Sequence, residues 1–267
     1  MEERALVYDA DACVAEIYDQ VETKTADVAL LRRLVSPRRD LRILEPFCGT
    51  GRVLIPLARD GHCLVGVDRA EAMLDLARTK VGALPPAVRG RVTLREADVL
   101  EEAWPRGFDL VLLGGNCLYE LATAEEQAGV IAAAAKALRP GGHLFVDNDH
   151  MEGDLDRAWY QPPVAEGVFP TGECADGTRL ESRWEVLWYD AERRLIRFRR
   201  ETRVVRPDGT ITEHEMIQQK HPVSAGEVAR WLEGEGLIIE RRMGDYEGSP
   251  YTKAAPRAIF WARRGGI

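Results

Sequence analysis

Residues Leu41–Asp68 read LRILEPFCGTGRVLIPLARDGHCLVGVD. Leu41–Leu44 is a short apolar run of the kind that forms a buried strand. Cys48-Gly49-Thr50-Gly51 then forces a tight turn whose backbone is bare. Val53–Asp60 has helical spacing and stops at Gly61. Leu64–Val67 is a second buried strand, closed by Asp68. A strand–turn–helix–strand unit of this kind aims a helix N-terminus and open backbone N–H groups at a ligand. It also puts one carboxylate where it can accept hydrogen bonds from a ribose diol.

The glycines do not follow the G-x-G-x-x-G spacing of a dinucleotide binder, because Val53 and Leu54 follow Gly51 where that pattern needs a third glycine for helix packing. A nicotinamide dehydrogenase is disfavoured on this ground. The run Glu45-Pro46-Phe47-Cys48-Gly49-Thr50-Gly51 instead resembles the first motif of class I S-adenosylmethionine (SAM)-dependent methyltransferases. The resemblance implies an α/β fold: a doubly wound, Rossmann-like, mostly parallel seven-stranded sheet. It implies that Glu45 and the backbone of Phe47, Gly49 and Gly51 hold the methionine part of SAM. It also implies that Asp68, with Arg69 beside it, takes the ribose hydroxyls. Phe47 departs from the family pattern, in which many members have Gly or Ala; it narrows the pocket floor without spoiling the turn.

With 267 residues the chain is one large domain, or one domain with a sizeable insertion. A hydrophobic content of 45% and a charged content of 30% are ordinary for a soluble globular protein. A net charge of −8 argues against a nucleic-acid partner, which wants a basic surface. No apolar run is long enough to span a membrane, and the acidic start MEERALVYDADA lacks the form of a signal peptide. The five cysteines are scattered and form no C-x-x-C. They suggest a reduced, cytoplasmic setting with neither a disulfide framework nor zinc.

Along the chain, 1–36 reads as helical, either a plain packing helix or a lid that lays Tyr8 and Tyr18 over the cofactor. Lys24-Thr25-Ala26-Asp27 resembles a stretch of glycine N-methyltransferase whose cation meets the SAM carboxylate; an exposed lysine is the competing reading of Lys24. Residues 37–150 form the SAM-binding core. Ala70–Lys80 is a helix with Met73 inward, in the core or against adenine. Arg91–Arg95 is the third strand, and Asp98 follows it. In the family that acid binds the adenine amino group while the backbone of its neighbour, Val99, reads the ring; a helix N-cap is the alternative. Phe108–Leu113 is the fourth strand. The segment after it, Gly114–Leu121, resembles the L-G-N-S-x-x-H-L stretch of glycine N-methyltransferase, which puts the Gly114 carbonyl on the SAM amino group and Asn116 and Cys117 beside the transferred methyl. Leu138–Gly142 reads as a helix stop and tight turn, and His143–Asp147 as the fifth strand.

Residues 151–222 read as a substrate-covering antiparallel β-meander, with strands at Arg179–Tyr189, Leu195–Val205 and Thr210–Gln219. Its arginine-rich stretch reads as a solvated strand face balanced by glutamates. Residues 223–267 supply the last helix, capped by Ser224 and Glu227, and a terminal hairpin. At the end of the fifth strand Asp149 stands where glycine N-methyltransferase has a substrate-binding arginine. An acidic pocket follows, suited to a cationic or polyhydroxy amine.

A free alkylamine has a pKa near ~10.4 and must lose a proton before it attacks a methyl group. The candidate bases are His150, Asp149, Glu120 and Tyr119, with His214 and His221 ranked below them. The expectation is therefore a monomeric or homodimeric SAM-dependent enzyme that methylates a small-molecule amine and releases S-adenosylhomocysteine. A small-molecule O-methyltransferase ranks second, and a SAM-binding module without chemistry ranks third.

Overall fold

The computed structural model describes residues 7–149 and 164–266. Its centre is a seven-stranded sheet built from β1 (Arg42–Pro46), β2 (Cys63–Asp68), β3 (Val92–Glu96), β4 (Phe108–Leu113), β5 (Leu138–Asp149), β11 (Leu237–Met243) and β12 (Arg257–Arg264), in the order β11-β12-β5-β4-β1-β2-β3. Strands β1 to β5 pair in parallel, and β12 runs antiparallel to both β5 and β11. The chain steps outward from β1 to β2 and β3, then returns to place β4 on the other side of β1. That reversal opens a crevice beyond the carboxyl ends of β1 and β4, where ligands of open α/β sheets sit.

Helices cover both faces because the central strands are apolar on both sides. On one face Val111, Leu113, Leu144 and Phe260 pack under α6 (Ala124–Ala137) and α7 (Ala225–Gly234). On the other, Ile43, Leu64, Leu110 and Phe145 pack under α2 (Ala26–Val35) and α3 (Leu54–Arg59). Helix α4 (Glu71–Gly82) joins β2 to β3 together with a short helical turn, α5 (Pro86–Arg89). Gly66 in β2 allows α3 to approach: a Cβ there would lie 2.6 Å from Leu54 Cδ1 and 2.8 Å from Cys48 Sγ. The capping box of α7 forms as its sequence predicts, with the Glu227 N–H donating to Ser224 Oγ and the Ser224 N–H donating to Glu227 Oε2.

The expected turn at Leu138–Gly142 is instead the beginning of β5. The pairing with β4 shifts register between Phe108 and Leu110, and Gly141 takes a φ of +75°. Five steps from Leu138 to His143 oppose two from Phe108 to Leu110, so β5 carries three extra residues where it leaves α6. Gly142 has no room for a side chain, since a Cβ would lie 2.9 Å from the Phe108 carbonyl oxygen.

A second sheet holds the insertion. β6 (Val164–Glu166), β8 (Arg179–Asp190), β9 (Leu195–Val205) and β10 (Ile211–Lys220) lie in the order β10-β9-β8-β6, with β7 (Gly172–Glu173) paired to β8. The arginines largely meet glutamates across the strands: Arg183 with Glu201 at 2.6 Å, Arg203 with Glu181 at 3.5 Å, and Arg199 with Glu185 and Glu215. Such surface pairs contribute little, about 0–1 kcal/mol each. Arg200 departs from the expected solvated face and turns inward, as taken up below.

Helix α1 (Cys13–Val21) packs Val14 and Ile17 against Leu180 and Val204 of the insertion. At the same contact Cys13 and Cys174 form a disulfide, with Cα atoms 5.9 Å apart. This corrects the expectation of no disulfide: 161 residues separate the two cysteines, so only the tertiary fold brings them together. The other end of α1 is tied to the glycine turn, because Thr50 Oγ1 donates to Asp19 Oδ1 at 2.5 Å and Lys80 pairs with Asp19.

Candidate active site

The site begins at the turn after β1. Phe47 and Gly49 both take left-handed backbone conformations, with φ of +60° and +51°. Glycine accepts this conformation without cost, whereas Phe47 carries a penalty of roughly 1–2 kcal/mol. That explains why a residue without a bulky side chain is the easier choice at position 47. The reversal turns the Gly49 N–H toward Asp68 Oδ2, at 2.8 Å, while the Ala70 N–H donates to Oδ1 at 3.0 Å. Burial pushes the Asp68 carboxyl up and these backbone donors oppose that push. Gly51 lies one step behind the surface; its N–H closes the turn onto the Cys48 carbonyl and its carbonyl accepts from Ile55.

A cavity of about 370 Å³ opens over this turn, within the range of small-molecule sites. Glu45, Phe47, Gly49 and Arg52 form one wall, and Asp68, Arg69, Met73, Asp98 and Val99 a second. Gly114, Asn116, Cys117, Tyr119 and Glu120 form the end beyond β4. Tyr8, Tyr18 and Phe169 close it from above, with ring centroids 5.9–6.4 Å apart. The lid is therefore made jointly by the N-terminal segment and the insertion. Phe169 was not legible as a site residue, because it lies in a loop that only the disulfide-linked packing brings over the sheet.

Met73 lies under the turn, its Cε 3.2 Å from where a Gly49 Cβ would be. Asp98 accepts from the Leu100 N–H at 2.9 Å and pairs with Arg69 at 3.2 Å. Glu45 is 8% exposed, and its Oε2 has no hydrogen-bond partner among the described residues. Burial pushes its carboxyl up to about 8, against the pull of Arg52.

Lys24 does not line the cavity. Its ammonium pairs with Glu22 at 3.1 Å, at the surface. A cation that does line the wall there is Arg52, which takes both oxygens of the buried Asp27 at 3.0 and 2.5 Å and the Lys24 carbonyl at 2.8 Å. Nothing in the local sequence around Arg52 signals this role, because its partner Asp27 lies 25 residues earlier.

The end of β5 also differs from expectation. Asp149 is not an open acid: Arg257 on β12 pairs with it at 2.5 Å and with Asp147 at 2.6 Å, and Asn116 Nδ2 donates to Asp149 Oδ2 at 2.6 Å. Tyr246 donates to the remaining oxygen of Asp147 at 2.9 Å. Asp149 does not line the cavity, so the inferred acidic pocket is an ion-paired cluster. Its partner Arg257 lies 108 residues further along the chain, beyond the reach of motif reading. His150 lies outside the described residues. His221 is buried and bonded to Glu227 at 3.0 Å, and His214 borders an outer groove of the insertion, so neither lines this cavity.

Glu120 and Tyr119 reach the cavity on a short 3-10 turn (Cys117–Glu120) that the sequence reading did not foresee. Asn116 starts it with a φ of +64°. Burial pushes the Tyr119 hydroxyl far up, out of the range in which a phenol serves as a base near neutrality. Lys220 Nζ stands 2.7 Å from Glu120 Oε2.

This arrangement fits an adenosine-bearing sulfonium. It offers a strand-end carboxylate on a bare glycine turn, a buried acid in Glu45 with one oxygen unpartnered among the described residues, and an aromatic roof. Comparison with known proteins agrees: residues 43–142 match the family described as methyltransferase domain. The cypemycin N-terminal methyltransferase of a Streptomyces species is 31% identical over 144 residues, 53% of this chain and 56% of that protein. The chain thus spans about half the length of the curated relatives it matches, several of which are named O-methyltransferases. The CcbJ methyltransferase of Streptomyces caelestis superposes over 99% of this chain and 100% of its own, with a TM-score of 0.71 and 21% identity. The sugar N-methyltransferase KedS8 of Streptoalloteichus sp ATCC 53650 superposes over 99% and 98%, with a TM-score of 0.67 and 21% identity. The fold is the Rossmann-like methyltransferase fold with an antiparallel insertion. Residues 43–142, less than half of the chain, are thus similar to a methyltransferase domain.

Proposed function

We propose that this chain is an enzyme that methylates a small-molecule amine, with SAM as donor. The observation that carries the reading is Glu120, a carboxylate held by Lys220 at the cavity end beyond β4, 2.7 Å from that ammonium. When bound, SAM supplies an electrophilic methyl group on a sulfonium sulfur and leaves as S-adenosylhomocysteine. On this reading Asp68 takes the ribose hydroxyls, Glu45 and Arg52 meet the charged methionine end, and Asp98 with Val99 meets the adenine edge. The aromatic lid of Tyr8, Tyr18 and Phe169 excludes water, which strengthens every charge interaction beneath it.

An alkylamine reaches this cavity as its ammonium. Glu120 is the carboxylate on the cavity end beyond β4 that can attract it and take its proton, since Tyr119 is buried too deeply to serve and Asp149 does not line the cavity. Holding the nitrogen in line then supplies much of the rate. The names of two similar proteins, an N-terminal methyltransferase and a sugar N-methyltransferase, support nitrogen as acceptor.

The test is transfer of a tritiated methyl group from SAM to matched amines and alcohols. Amine methylation that falls about 100-fold or more in Glu120→Gln supports the reading. Methylation of the alcohols alone would replace it with O-methyl transfer.

A further inference from the structure

Lys220 ends β10, where the insertion meets the segment after β4. It is 5% exposed, and lysine is seldom so buried without a partner. Its ammonium lies 2.7 Å from Glu120 Oε2 and 5.6 Å from the centre of the Tyr119 ring, and both of those residues line the cavity. Arg200 on β9 faces the same place: its Nη1 donates to the Phe169 carbonyl and its Nε to Gln218 Oε1 at 3.0 Å. The other ionisable groups around Glu120 are Tyr8 from the lid, Asp68 from β2, and Cys117 and Tyr119 from its own turn.

An anchor for the insertion would not need to end on a cavity carboxylate. This one does, and it engages a single oxygen: Glu120 Oε2 is taken, while Oε1 has no partner among the described residues. The choice of lysine matters here. An arginine fork tends to take both carboxylate oxygens, whereas an ammonium is a point charge that can occupy one. Glu120 sits on a one-turn 3-10 segment, and a carboxylate there has rotamer freedom unless something holds it.

We infer that Lys220 is a positioning residue for methyl transfer: it holds Glu120 by one oxygen so that the other faces the N–H of the acceptor amine. The inference rests on the amine reading given above. It also makes the insertion part of the catalytic apparatus and gives it a purpose beyond covering the site.

The experiment is a double-mutant cycle on the full chain, Lys220→Met, Glu120→Gln and the pair. Methyl transfer is measured from SAM to glucosamine, alanine and putrescine, alongside calorimetric binding of S-adenosylhomocysteine. Lys220→Met should lower kcat about 10- to 100-fold, since misplacing a reacting group can cost ~100-fold. Its affinity for S-adenosylhomocysteine should stay within about twofold of wild type, and the double variant should be no slower than Glu120→Gln. Lys220→Arg, which keeps the charge and the anchor, should fold and still lose kcat because it competes for both oxygens. Wild-type kcat in Lys220→Arg, or losses that multiply in the double variant, would show a structural anchor and overturn the inference. A wild-type chain that binds S-adenosylhomocysteine but methylates none of the amines defeats the amine reading itself, and this inference with it. A wild-type chain active on amines with Lys220→Met equally active defeats the inference alone.

Discussion

The Arg52 guanidinium takes both carboxylate oxygens of Asp27, at 3.0 and 2.5 Å. Arg52 opens the helical segment after the glycine turn and Asp27 sits in the first turn of α2, 2% exposed. This fork joins the N-terminal helices to the cavity wall, where Arg52 is one of the lining cations. Breaking such a pair from one side leaves a buried charge uncompensated, at a cost of about 3–5 kcal/mol. Arg52→Met should therefore lower the urea midpoint strongly, whereas Lys24→Ala, at the surface, should stay within about 0.5 kcal/mol of wild type. Comparing the two urea curves checks this assignment of the cation directly.

Glu45 makes stability fall with rising pH. Its carboxyl is pushed from 4.5 to about 8 by burial, so the folded chain holds a proton there that the unfolded chain releases. The contribution is fully present below about pH 4.5 and is lost as pH rises through about 8. Glu45→Gln should flatten the decline of stability between those limits. Urea titrations at pH 5, 6.5 and 8, on the order of the range over which the linkage acts, would show the variant gaining on wild type as pH rises. Parallel wild-type and variant curves would contradict the assignment.

The Cys13–Cys174 bond ties α1, which carries Tyr18, to the loop that follows Phe169. Cross-links that close long loops stabilise by about 2–4 kcal/mol. Reduction, or the variant Cys13→Ser/Cys174→Ser, should lower Tm and weaken S-adenosylhomocysteine binding, because the aromatic lid loses its tether. Alkylation with and without reductant, read by mass spectrometry, should show two additional reactive thiols after reduction.

Gly66→Ala should be costly although alanine is small. The added methyl would meet Leu54 Cδ1 at 2.6 Å and Cys48 Sγ at 2.8 Å, so α3 or the glycine turn must shift. Overpacking of this kind costs about 1–3 kcal/mol, and the displaced turn should weaken cofactor binding as well. Thermal unfolding and a binding titration on the same sample test both effects.

What could be read in the sequence was what is local. The strand, glycine turn and helix of Glu45–Arg59 lie within one short stretch, and Asp68 closes the next strand, so spacing alone places them. The three long insertion strands were legible because alternation and the turn at Pro207-Asp208-Gly209 are also local signals. Contacts made across the fold were not. Arg52 carries no local signal beyond its place before the helix and Arg257 none beyond its place in the terminal hairpin, while Arg200 is one of a run of strand arginines. Each is defined by a partner far along the chain: Asp27, Asp147 with Asp149, and the carbonyl of Phe169. The cysteine pair failed for the same reason, since spacing carries no information about two thiols that meet only when α1 packs on the insertion.

We propose that the cavity over the glycine turn holds SAM through Asp68. The most direct test is calorimetric titration of wild type and Asp68→Ala with SAM, S-adenosylhomocysteine and NADH. The account predicts that the wild type binds the two sulfur ligands and not NADH, and that Asp68→Ala loses at least about tenfold in affinity, the scale of one or two strong hydrogen bonds to a charged group. Binding of NADH, or SAM binding indifferent to Asp68, would contradict it.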